Sequence, residues 1–228
     1  MKALGLSIAL AAAAAVVWPA TGGATNECNG LKVCIPVTGP WVVVSGRADA
    51  RWLLSCPDGR GIVGGLDAAA TSRAVRVEFA GRLSAPVAPG TTTTRNALFR
   101  ATLAGGGVQA FQPHIGCIPT GGGGGRSTVS ARVVVPPGPA PERVSQTVAA
   151  RPGRLAFAAA ACPAGETRTG SWVALAFKTA RPPSLRLAGL VHLRTVVRGA
   201  RAGVTVVASD ALPSGAHAVV QVGVECAP

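Results

Sequence analysis

The sequence predicts an all-β protein: two tandem, disulfide-stapled, antiparallel β-sandwich (or barrel-like) repeats behind an N-terminal signal peptide. Three observations predict it. Short segments alternate apolar and polar residues with a period of two, as half-buried strands do. Cysteines recur at matched spacings, 61 residues from Cys56 to Cys117 and 64 from Cys162 to Cys226. The chain also opens in the charged, apolar, small-residue order of a secretory signal.

Residues 1–24 read as that signal. Lys2 precedes an apolar stretch from Ala3 to Val17, and small residues follow. Cleavage after Ala24 places Gly22 and Ala24 where small side chains are required, whereas cleavage after Ala20 would place Trp18 there. The alternative, an uncleaved anchor, fits poorly with a stretch made mostly of alanine. Removing 24 of the 228 residues leaves 204, enough for one large β domain or two small ones. No later apolar run approaches a membrane-spanning length; Leu155 to Cys162 is about the longest.

Residues 25–36 read as a small loop closed by Cys28 and Cys34. The first β repeat covers 37–119 and the second 142–228, with a Gly/Pro-rich linker over 120–141. Within the first repeat Val75, Val77 and Phe79 alternate with Arg76 and Glu78. In the second, Leu185 and Leu187 flank Arg186, and Val191 and Leu193 alternate with His192 and Arg194. Ala218, Val220, Val222 and Val224 take one face of a last strand, with Val219, Gln221, Gly223 and Glu225 on the other. Arg132 to Val135 reads as a further strand inside the linker. Only Leu66 to Ala74 hints at a helical turn, and its alanines fit the general composition equally well.

The duplication extends beyond the cysteines. "SCPDGRG" at Ser55 is echoed by "ACPAGET" at Ala161, and "CIP" at Cys117 by "CAP" at Cys226. Val75–Gly81 lines up with Ser184–Gly189, and "ALFRAT" with "VTVVAS". An even cysteine count in an exported chain implies disulfides. Six thiols allow fifteen full pairings, and the repeat selects Cys28–Cys34, Cys56–Cys117 and Cys162–Cys226. Pro57 and Pro163 preset φ after each cysteine, and Gly59 and Gly165 supply a left-handed turn position. Trp52, four residues before Cys56, reads as packing on the disulfide, and Trp41 and Trp172 as core residues.

On these residues the chain resembles a group of poorly characterised secreted bacterial β-repeat proteins. They carry a Cys-Pro-x-Gly turn, a following Gly-Gly and a closing cysteine in each repeat. Gly64-Gly65 fits the pattern, Gly170-Ser171-Trp172 departs from it, and Cys28 to Val44 resembles a segment of such proteins. The resemblance implies a secreted β protein and carries over no catalytic residue.

The residues themselves offer little for catalysis. No Gly-x-Ser-x-Gly occurs, the acids are isolated from one another, and no Cys-x-x-Cys or Cys/His cluster suits a metal. His114 and His217 read as residues at strand starts, and His192 as one on a polar strand face. No cofactor is implied. The formal charge of +13 falls to +12 with Lys2 gone, and arginine carries nearly all of it. That excess reflects either GC-rich codons or an acidic partner, since guanidinium pairs bidentately with phosphate and carboxylate. Arg194, Arg198 and Arg201 gather around one turn, with Arg181 and Arg186 before them; these five are the candidate anion-binding residues.

The expectation is a secreted or cell-envelope protein without enzymatic activity, binding an anionic surface polymer or an extracellular protein. Nucleic acid fits less well, because export and a shortage of exposed aromatics count against it. Two rivals are a secreted hydrolase whose site assembles from distant residues and a purely structural envelope protein.

Overall fold

The computed structural model describes residues 26–31, 33–46, 48–57, 61–80, 95–119 and 142–228. The expected signal, the expected linker with its strand, and the first turn's Asp58 and Gly59 lie outside the described residues. The fold is all-β and antiparallel, with one large sheet and two small ones.

In the first half the strands are β1 (Ile35–Thr38), β2 (Trp41–Ser45), β3 (Ala50–Ser55), β4 (Gly61–Ala70), β5 (Val75–Ala80), β6 (Asn96–Leu103) and β7 (Val108–Pro119). The second half holds β8 (Glu142–Ala149), β9 (Leu155–Ala161), β10 (Thr167–Phe177), β11 (Val191–Arg198), β12 (Arg201–Ala208) and β13 (Ala218–Ala227). Connectivity is the same in both. β7 lies between β4 and the consecutive strands β1 and β2, as β13 lies between β10 and β8. β6 lies between β3 and β5, as β12 lies between β9 and β11.

Each half therefore faces a small sheet against its part of the large one. Trp52, Phe99, Phe111 and Ile115 fill the first core; Phe177, Val204, Val220 and Val222 fill the second. Cys56–Cys117 and Cys162–Cys226 each join the end of one sheet's strand to the facing sheet, and Cys28–Cys34 closes the N-terminal loop. Trp52 lies in the first core with Cys56 and Cys117, and Trp41 and Trp172 are buried too. Gly165 has φ +88°, the left-handed turn conformation its place after Cys162-Pro163 requires.

The halves are continuous. β2 pairs with β10 through Val42–Ala176 and Trp41–Phe177, so one seven-stranded sheet runs through both. Ala174, Ala176 and Val219 of the second half belong to the first core. This explains β13, whose face of Val219, Gln221 and Gly223 looks half-polar in sequence yet is covered by the first half. Trp172 lies flat over Gly223 across the β10–β13 pair, where any Cβ would strike the indole.

Four further expectations are corrected. Leu185–Leu190 is a 3-10 helix, because Pro182-Pro183 precede it and Leu187 and Leu190, three apart, share the side packed on the second core. The counterpart of β5 in the second half is thus β11, not Ser184–Gly189. Leu66 to Ala70 continues β4, with no helix. His114 lies inside β7 and is buried, since the N-terminal loop lies over that strand. The backbone carbonyl of Glu27 sits so close to Gly65 and Gly116 that neither position has room for a side chain.

Candidate functional site

The small sheets have outward faces, and the two faces have different fates. In the first half Leu53 and Leu98, paired across β3 and β6, are buried under Trp172. Their neighbours Arg51 and Arg100 also oppose one another. Like charges in that position repel, but Asp49 lies 2.7 Å from Arg51 and 2.9 Å from Arg100, and Glu225 lies 3.1 Å from Arg51. Burial would raise the Asp49 carboxyl's pKa. The Arg51 hydrogen bond and the charges of Arg51 and Arg100 outweigh that, and it ends below the ordinary value.

In the second half the outward face is open. Strand register builds it row by row: His192–Val207–Leu155, Arg194–Thr205–Phe157, Val196–Gly203–Ala159 and Arg198–Arg201–Ala161. Alternation turns Ala156, Ala158, Val204 and Val206 inward, leaving this set outside. Leu155 is 73% exposed and Phe157 67%, far beyond ordinary strand residues. The Phe157 ring lies 3.3 Å from where a Cβ on Gly203 would stand, so it spreads over the neighbouring strand.

Arg198 and Arg201 oppose one another across the Gly199-Ala200 turn between β11 and β12, a like-charge pair as Arg51 and Arg100 are across β3 and β6. Arg168 joins them there, donating from Nε to the Gly199 carbonyl at 2.9 Å. Among the described residues no carboxylate forms an ion pair with Arg168, Arg194, Arg198 or Arg201. Arg194 to Arg198 spans about 13 Å at strand rise. The result is a cationic strip along one sheet face, beside an exposed aromatic ring.

Of the five arginines singled out in the sequence, the structure brings Arg194, Arg198 and Arg201 together. Arg181 and Arg186 are exposed on the connection entering β11 at Val191, the end remote from the Arg198–Arg201 turn. Sequence reasoning missed Arg168 and Phe157. Phe157 sits in "LAFAAAA", apolar throughout, where alternation cannot reveal which face is outside. Its exposure also supplies an aromatic that the sequence seemed to lack.

Asp210, Ser214 and His217 line a separate cleft beside Arg151 and Lys178, but no hydrogen bond joins their side chains. No group of three His, Cys, Asp or Glu among the described residues could hold a metal ion. No described helix is long and apolar enough to cross a membrane. Comparison with protein-family models, curated proteins and solved structures finds no match.

Proposed function

We propose that this is an exported, non-enzymatic protein that holds an acidic polymer, of the acidic-glycan type, on the outward face of the β9–β12–β11 sheet. The observation that carries the reading is the unneutralised pair Arg198–Arg201 beside Arg194 and the exposed Phe157. A like-charge cross-strand pair costs stability unless something answers it. Asp49 and Glu225 answer the Arg51–Arg100 pair of the first half; here the polymer's own carboxylates or phosphates do. A strip running along the strands suits an extended chain, and an aromatic face suits a sugar ring.

Three disulfides fit an oxidising compartment, in keeping with the signal-like start. The shared strand connectivity and matched cysteine positions support two copies of one ancestral module. In this reading the second copy covers the first copy's outward face and leaves its own for the ligand.

Immobilised polygalacturonate against neutral dextran tests the proposal. The protein binds the acidic polymer, binding weakens with salt over the range where the Debye length shrinks, and Arg194→Ser/Arg198→Ser/Arg201→Ser removes it. Equal retention on dextran, or an unaffected triple variant, would overturn it.

A further inference from the structure

We infer a second binding site, for a small organic anion with an apolar body, in the cleft at the loop end of the second half. The cleft is open on one side and has a volume of about 950 Å³, within the range of small-molecule sites. It lies between the end of β8, the start of β13, the residue after β10 and the loop over 210–214. This is the far end of β13 from the Cys162–Cys226 bridge.

Its chemistry is asymmetric. Buried Ala150, Leu212 and Ala218 supply an apolar floor. Around it stand Arg151, Lys178, Ser214 and His217, all exposed, whose side chains make no ion pair or hydrogen bond among the described residues. Two cations and two further donors therefore face one carboxylate, Asp210. That carboxylate is turned over Gly153, where Oδ1 would lie 3.0 Å from an added Cβ. Donor excess with a net positive charge selects an anion, and the floor selects one that carries hydrocarbon.

The backbone supports a built site. His217 adopts φ 41° and ψ 51°, the left-handed region that a histidine enters at a cost. It is the one non-glycine residue described with positive φ. Its carbonyl is fixed by the Lys178 N–H at 3.1 Å, and Ala150 N–H donates to the Ala218 carbonyl at 2.9 Å beside it. A strained residue locked by its neighbours, with its ring lining a cleft, is the pattern expected where the conformation serves a ligand.

The test uses octanoate as probe, with 1-octanol and octylammonium as matched neutral and cationic comparators. Each of the three histidines gives its own ring signal in the labelled full chain, so the readout is local. Octanoate shifts the His217 signal saturably at millimolar concentration and leaves buried His114 unmoved. Octanol and octylammonium do not saturate it. Arg151→Ala and Lys178→Ala, both surface changes, each weaken octanoate by about tenfold, as loss of one charge-assisted contact does. Arg194→Ser/Arg198→Ser/Arg201→Ser leaves it unchanged, which separates this site from the sheet face. An unmoved His217 signal, equal binding of the comparators, or full binding in both alanine variants would overturn the inference.

Discussion

The side-chain amide of Gln221 stands in for a neighbouring strand at Leu53. Oε1 accepts the Leu53 backbone N–H at 2.7 Å, and Nε2 donates to the Leu53 carbonyl at 3.0 Å. β3 is an edge strand, and its free backbone groups would otherwise be buried unpaired beneath the second half. The Trp172 indole N–H shares the same oxygen at 3.2 Å. One residue thus satisfies three buried groups at the junction, two of them on the first half.

Gln221→Leu should therefore destabilise the protein by about 3 kcal/mol or more, since each buried unsatisfied group costs about 1–3 kcal/mol. Chemical unfolding followed by Trp fluorescence measures it. A loss below about 0.5 kcal/mol, the range of ordinary surface changes, would show that water replaces the amide and that the junction is not sealed.

The disulfides should rank by the loop each closes. Replacing Cys162 and Cys226 by serine opens a separation of 64 residues, and on the chain-entropy model costs about 4 kcal/mol. The same change at Cys28 and Cys34 opens a separation of 6 and costs about 2 kcal/mol. Unfolding midpoints of the two double variants give the order directly. A larger loss from the N-terminal pair would mean that this loop, wedged over Gly65 and Gly116, organises β4 and β7 rather than merely covering them.

How much of this was legible in the sequence follows from which signals survive packing. Cysteine spacing marks the bridges because each half closes a loop of similar length, 61 and 64 residues, whatever lies around it. Alternation marks β5 and β11. It misleads at β13, where Gln221 looks solvent-facing but is buried by the first half, a partner remote in sequence. It is mute at β9, where alanines on both sides hide that Phe157 points outward. The Arg198–Arg201 cluster was visible as a turn. Glu225, the second acid on Arg51, was not, because it lies 174 residues away in the chain.

His114 should make stability fall in mild acid. Burial lowers its pKa from 6.5, against the opposing pull of Glu27 and Asp67, and its Nε2 is buried without a hydrogen-bond partner. Its Nδ1 lies 3.4 Å from the Thr38 hydroxyl. Above pH 6.5 both folded and unfolded chains hold it neutral, so it contributes no slope. Below that, the unfolded chain takes the proton first, and stability falls by up to about 1.4 kcal/mol per pH unit. His114→Gln should flatten this slope below about pH 6.5. An unchanged slope in that variant would assign the acid sensitivity to other groups.

The two outward sheet faces should respond oppositely to the same kind of change. Leu53 is 7% exposed and packs against Leu98 and Trp172, so Leu53→Ala should cost about 2–5 kcal/mol. Phe157, at 67% exposure, has its ring against Gly203 and solvent. Phe157→Ala should shift stability by only about 0.5 kcal/mol or less, the scale of surface changes. If the open face serves a polymer, the same substitution should weaken retention on polygalacturonate by about tenfold, because one stacked ring contributes about 0.5–1.5 kcal/mol beyond its buried area. Stability and binding would then be separated: the first-half face carries folding energy, and the second-half face carries recognition. A Phe157→Ala protein that unfolds as readily as Leu53→Ala, or binds the polymer as well as the parent, would remove that division.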